Sequence, residues 1–192
     1  MKLVLASGSP RRARILEASG VPFTVLKTDA AEVAFPHDPE GTVVANATAK
    51  LKAALALLGG GAAGGWDGAL AADTIVWFAG RIYGKPRDLD EAARFLRELG
   101  GRTHTVFTGV AFAEPAGEIR TACARSDVTF RPLTEEQIAD YVARVHPVDR
   151  AGAYDIDESG DLIVASHTGS YENIMGLPLE PLAAFGILPA GT

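Results

Sequence analysis

Residues 69–78 constrain this chain more than any other segment. They are apolar except for Asp73 and Thr74, and they end in Ile75, Val76, Trp77 and Phe78, residue types that strands favour. The segment reads as the strongest strand in the sequence, and Ala79-Gly80 turns it back into a short partner at 81–83. Inside it sits one acid. Asp73 is flanked by Leu70, Ala71, Ala72, Ile75 and Val76, where a carboxylate is costly unless something binds it. A strand that carries an acid into a cleft suits metal ligation or general-base work. The competing reading is an acid at a strand edge, satisfied by a neighbouring amide or a lysine.

Around this strand the pattern alternates. Residues 2–6 read as a short apolar strand, turned by Ser7-Gly8-Ser9. Ser9 caps a helix that opens at Pro10 and runs to about Ser19, where Gly20 stops it. Residues 22–28 form a second strand. Asp38-Pro39-Glu40 opens a helix that reaches Leu58 and carries Lys50 and Lys52. The glycine-rich residues 59–68 read as a flexible surface loop. Asp88 caps a helix to Leu99, ended by Gly100-Gly101, with Glu91 completing a partial capping box. Residues 103–113 and 118–131 pair as antiparallel strands around Pro115-Ala116-Gly117. Thr134 and Gln137 form a full capping box for a helix to about Arg144. A turn-rich stretch, a strand at 162–165 and a last helix from about Leu179 follow. This order predicts an α/β fold on a mixed sheet, as a single domain over residues 1–192 whose two lobes share the sheet.

Composition sets the class. With 47% hydrophobic and 22% charged residues, the chain has the make-up of a soluble globular protein. No apolar run approaches the roughly 20 residues that span a bilayer, and the opening strand is too short for a signal-peptide core, so no membrane partner is expected. The single Cys123 cannot form an internal disulfide, which makes a cytoplasmic location the expectation. A net charge of -6 argues against nucleic acid as a partner. An anionic ligand would need a local basic patch.

Such a patch stands at Ser7-Gly8-Ser9-Pro10-Arg11-Arg12, between strand and helix. A helix N-terminus offers free N–H groups and partial positive charge, Ser7 and Ser9 add hydroxyls, and Arg11 and Arg12 add planar forks suited to phosphate. A capped surface helix with solvated arginines is the plain alternative. The segment is neither a G-x-x-x-x-G-K-[ST] loop nor a G-x-G-x-x-G fingerprint. Lys85, between Gly84 and Pro86, is either an ordinary turn lysine or one held near Asp73 to meet a phosphate. Asp149, Asp155 and Asp157 lie among small residues and Tyr154, and their spacing assigns none of them. His37, His104, His146 and His167 show no metal-ligand spacing, and Cys123 reads as a small core residue.

Taken in order, these segments resemble the Maf family of nucleotide pyrophosphatases. The resemblance runs from Leu5-Ala6-Ser7-Gly8-Ser9-Pro10-Arg11-Arg12 through Glu32, Ala49-Lys50-Leu51-Lys52-Ala53 and Ala72-Asp73-Thr74-Ile75-Val76. It continues through Gly84-Lys85-Pro86 and Gly101-Arg102-Thr103-His104 to Ala151-Gly152-Ala153-Tyr154 and Met175-Gly176-Leu177-Pro178-Leu179. It implies a two-lobed mixed sheet with flanking helices, similar to the inosine triphosphate pyrophosphatases, with the active site in the cleft. It also implies cleavage of a nucleoside triphosphate to monophosphate and pyrophosphate with a divalent cation, Mg²⁺ or Mn²⁺, held by Asp73 and Glu32. Asp73 matches the family's proton acceptor, and Glu32 and Lys85 match positions important for activity. Arg11 and Thr74 match positions linked to substrate choice, and Lys52 matches a basic position that faces the phosphates. A homodimer is compatible with the resemblance.

The late Gly152-Ala153-Tyr154 is similar to the subgroup that acts on dTTP and UTP. That subgroup continues Gly-Ile-Gln-Gly, whereas this chain reads Asp155-Ile156-Asp157-Glu158. Asp157 thus stands where the subgroup has a glutamine linked to substrate choice. A glutamine amide both donates and accepts, and an ionised carboxylate only accepts, so Asp157 is expected to face the base and alter its reading. Two other readings are a purine-directed inosine-triphosphatase-like activity and a non-catalytic nucleotide-binding regulator of cell division. The first usually opens with a Ser-x-Asn-x-x-Lys loop that is not found here, and the second would not need Asp73, Glu32 and Lys85 together.

Overall fold

The computed structural model describes residues 1–59, 65–115 and 117–188. Its strands are β1 (Leu3–Leu5), β2 (Phe23–Val25), β3 (Gly68–Phe78), β4 (Arg81–Tyr83), β5 (Thr103–Ala113), β6 (Arg120–Phe130) and β7 (Val164–Thr168). Its helices are α1 (Pro10–Ala18), α2 (Pro39–Leu58), α3 (Leu89–Leu99), α4 (Glu135–Val145), α5 (Gly160–Ile163), α6 (Tyr171–Met175) and α7 (Leu179–Ala184), with 3-10 turns at Pro147–Asp149 and Ala151–Ala153. All the strands join one sheet in the order β2-β1-β3-β5-β6-β7, with β4 paired to β3. β1 is parallel to β2 and β3, and the other pairs are antiparallel, which makes the sheet mixed, as expected.

The long strands β3 and β5 run through two lobes. In the first, α2 lays Ala47, Leu51 and Ala54 on Ala69, Ala71, Ala111 and Ala113. On the opposite face, α1 brings Ile15 and Leu16 onto Leu70, Ala72, Val110 and Phe112. The second lobe packs Phe95, Leu96 and Leu99 of α3 and Ile138, Tyr141 and Val142 of α4 against Val76, Val106, Val128 and Phe130. Side chains alternate across a strand, so β3 supplies both faces. The alanines allow α2 to approach closely. Closest of all is Gly109, which pairs with Asp73 in the β3–β5 register. A Cβ there would overlap the backbone of Val43 and Val44, so only glycine lets α2 cross at that level.

Helix termini follow local chemistry. Asp38, Asp88 and Thr134 each accept a first-turn N–H, and Thr134 with Gln137 forms the full capping box. Ser9 occupies the N-cap of α1, but its hydroxyl makes no capping bond. The Glu91 carboxylate turns to Arg87 and Arg94, leaving the box at Asp88 half made. The strand expected at 162–165 begins two residues later, because residues 160–163 close a helical turn that buries Ile163. α6 has no counterpart in the sequence reading. The glycine-rich loop is shorter than expected, since Gly68 already begins β3, and its residues 60–64 lie outside the described residues. Among the described residues, no helix is long and apolar enough to cross a membrane.

Candidate active site

The pairing of β3 creates the site. On one side β3 is paired with β5 from Ala69 to Trp77. On the other, pairing with β1 ends at Leu5–Leu70 and pairing with β4 begins only at Val76–Tyr83. Residues 71–75 therefore have no strand neighbour on that side, and a cleft of about 700 Å³ opens there. The chain leaving β1, Ser7-Gly8-Ser9 and the start of α1, forms one wall, and the chain leaving β4, with Lys85, forms another. Loops at the carboxyl ends of parallel strands are where open α/β sheets place their ligands.

Asp73 points from β3 toward α2 and is 6% exposed. Asn46 Nδ2 donates to its Oδ2 at 3.0 Å, and Lys50 Nζ donates to its Oδ1 at 2.5 Å. Asn46 and Lys50 are four residues apart, so they share one face of α2. Thr42, four residues earlier on that face, bonds the backbone of Phe35, and Asn46 also bonds Val33 at both N and O. These contacts fix the segment that carries Glu32, whose Oε1 lies 2.7 Å from the same Lys50 Nζ. One ammonium thus bridges two carboxylates from different elements. Partial burial opposes ionisation of Glu32, but the hydrogen bond and charge of Lys50, with Lys85 and Arg12 further off, hold its carboxyl below the usual range.

The arginines divide their work. Arg12 donates through Nε to Gly176 O at 2.8 Å, through Nη1 to Ser7 Oγ at 3.0 Å and through Nη2 to Thr74 Oγ1 at 3.2 Å. Burial pulls its guanidinium down to about 10 despite the charge of Asp73, so it stays a cation at neutral pH. Thr74 is further tied to Thr108 Oγ1 at 3.0 Å. Arg12 thus ties the start of α1 to Thr74 of β3 and to Gly176 after α6, although Arg12 and Thr74 both line the cleft. Arg11 lines the cleft, and among the described residues its one ion pair is to Asp155 at 3.5 Å. Ser7 Oγ accepts from Ser9 N–H as well as from Arg12, which leaves its own hydroxyl proton to donate. Lys85 is exposed and lines the cleft.

The structure brings together Ser7, Ser9, Arg11, Arg12, Glu32, Asp73, Thr74 and Lys85. It leaves out two expected residues. Lys52 is exposed and does not line the cleft, because two steps along a helix turn it about 200° away from Lys50. Asp157 does not line the cleft either. Its carboxylate pairs with Arg14 at 3.1 Å and lies 3.4 Å from the Tyr171 hydroxyl. The sequence reading did not single out Asn46, Lys50 or Asp155 for the site. The i, i+4 spacing of Asn46 and Lys50 was the available signal, and it needed the register of α2 over Asp73 to be used.

The family model described as Maf-like protein matches residues 2–185. The chain belongs to the Maf family. It is 47% identical over 193 residues to a relative from Moorella thermoacetica named dTTP/UTP pyrophosphatase, covering 97% of this chain and 96% of that one. It is 44% identical to a relative of the same name from Desulfitobacterium hafniense, covering 93% of this chain and 81% of the relative. Among solved structures, the Ham1 protein of Staphylococcus aureus aligns with a TM-score of 0.50 at 14% identity, over 83% of this chain and 90% of that one. At that identity the likeness concerns the fold, and the Maf chain shares a two-lobed mixed α/β architecture with it.

Proposed function

We propose that this Maf protein hydrolyses pyrimidine nucleoside triphosphates between the α- and β-phosphates, giving the monophosphate and pyrophosphate. The observation that carries the reading is the pair Asp73 and Glu32 sharing Lys50 at the edge of a cleft walled by the N-terminus of α1 and by Lys85. The names of the close relatives supply the substrate class.

The donor set suits a divalent cation of the Mg²⁺ or Mn²⁺ type. Among the described residues no group of three or more His, Cys, Asp or Glu forms a closed cage. Mg²⁺ does not need one, since it is usually held by one or two carboxylates together with substrate phosphates. Asp73 and Glu32, already gathered around one positive charge, would hold it. The charge balance points the same way, because the cationic Arg11, Arg12, Lys50 and Lys85 that line the cleft are matched by the acidic Glu32, Asp73, Asp149 and Asp155. A triphosphate entering this neutral surface needs positive charge from elsewhere. When bound, the cation supplies that charge and Lewis acidity toward the phosphate.

The chain's own residues do the rest. Asp73, fixed by Asn46 and Lys50, takes the proton from the attacking water as the bond to the leaving pyrophosphate breaks. Arg11, Lys85 and the Ser7 hydroxyl neutralise and orient the phosphates against the free N–H groups of α1. The apolar side chains that line the cleft, Val76, Ile82, Tyr154, Ile156 and Met175, would receive the base. With Asp157 turned to Arg14, its replacement of glutamine does not set a carboxylate against the base. Pyrophosphate release from UTP, dTTP, CTP and GTP, with and without chelator, tests the reading. UTP and dTTP are expected to lead, and chelator to stop the reaction. Equal turnover of all four nucleotides, or turnover unaffected by chelator, contradicts it.

A further inference from the structure

The proposed chemistry uses Arg11 but does not account for the buried acid behind it. The Asp155 side chain is 1% exposed. Its backbone N–H donates to the Tyr141 hydroxyl at 3.0 Å, and that hydroxyl donates back to its carbonyl at 3.3 Å. Asp155 Oδ1 accepts the Asp157 N–H at 2.9 Å, and Oδ2 accepts Arg150 Nε–H at 3.0 Å. Asp155 is thereby pinned to α4 and the second lobe. Oδ2 still faces Arg11 Nη1 at 3.5 Å, across the cleft from α1.

We infer that Asp155 is a positioning residue that holds the Arg11 guanidinium toward the phosphates of a bound triphosphate. The inference rests on the reading of the cleft as a triphosphate site. At 3.5 Å the pair is electrostatic and too long for a good hydrogen bond, so it leaves the donors of Arg11 for a ligand. An arginine on its own would lose much rotamer freedom on meeting a phosphate, and an anchored counter-charge restricts it beforehand. Arg150 shares its single positive charge among Asp149, Asp155 and Glu158, so Asp155 keeps negative charge with which to orient Arg11. Arg150 is itself held by Asp149 and Glu158, which makes the anchor rigid.

The test is a double-mutant cycle of Arg11→Ala and Asp155→Asn. It reads Kd for α,β-methylene-UTP with Mg²⁺, the KM and kcat for UTP, and the thermal midpoint. Asp155→Asn alone is expected to weaken binding of the analogue about tenfold. It should raise KM for UTP to match, with kcat changed less than about twofold. In the Arg11→Ala background it should cost nothing further. Should Asp155→Asn fail to fold, the pair Arg150→Gln with Asp155→Gly removes both buried charges together, and the same cycle is run on that variant. Unchanged or tighter binding, or an equal loss with and without Arg11, overturns the inference. A wild-type chain that binds the analogue with the expected coupling but releases no pyrophosphate from UTP supports the positioning role and contradicts the proposed function. A wild-type chain that does not bind the analogue overturns both.

Discussion

Asp73 and Lys50 are the residues on which the site turns. Asp73→Asn preserves shape and the Asn46 contact side, so it is expected to keep the fold and lose about a hundredfold or more in pyrophosphate release. Turnover alongside a thermal melt checks both halves. Lys50→Ala should cost about tenfold or more in kcat/KM, because it removes the cation between Asp73 and Glu32, whereas Lys52→Ala should cost less than about twofold. Equal losses would mean that the cleft responds to overall charge and not to this bridge. Asp157→Gln is expected to leave the preference order among dTTP, UTP, CTP and GTP unchanged, since the side chain pairs with Arg14 and does not line the cleft. At this scale the sequence was informative where chemistry is local. An acid inside an apolar strand, and serines and arginines at a helix start, announce themselves. Choosing Lys50 over Lys52, or recognising that Arg12 spends a donor on the Thr74 hydroxyl, needs the relative rotation of elements that only packing sets.

Among the elements, α2 and β3 decide whether the site exists. α2 lies close enough to β3 to place Asn46 and Lys50 over Asp73 because Gly109, opposite Asp73 on β5, has no side chain. Gly109→Ala is therefore expected to push α2 outward. That should cost about 1–3 kcal/mol, a fall of several degrees in thermal midpoint, together with most of the activity. A variant with normal stability and normal turnover would show that α2 can slide without moving its polar face. The strands and the longer helices were legible from apolar runs and caps, and the Thr134 box and the Asp88 cap were both found as read. The segment from 146 to 178 was not. Its two 3-10 turns, α5 and α6 are each five residues or fewer, too short for periodicity to reveal. They form because Ala153, Tyr154, Ile163 and Met175 must reach cores built by distant strands.

Over the whole molecule, one sheet joins two lobes, and the cleft is the place where neither lobe supplies a strand beside residues 71–75 of β3. The second lobe also sets how stability depends on pH. His104 is 1% exposed, against Phe130 and Tyr154, with Nε2 at 3.0 Å from the Tyr154 hydroxyl. Burial depresses its pKa to about 4, and Asp127 offsets this only in part. The unfolded chain therefore binds a proton that the folded chain does not. Stability is full above the ordinary imidazole value and declines as pH falls toward 4, on the order of 3 kcal/mol. Glu32, held below the ordinary carboxylate range, adds to the loss only at lower pH. Denaturant melts between pH 4 and 7 should show this slope, and His104→Phe should flatten it. The proposed reaction is cleavage between the α- and β-phosphates with Asp73 as proton acceptor. The most direct measurement is product analysis of UTP turnover with Mg²⁺, for the wild type and for Asp73→Asn. UMP and pyrophosphate from the wild type, with almost no product from the variant, is the expected result. UDP and inorganic phosphate from the wild type, or undiminished product from Asp73→Asn, would contradict it.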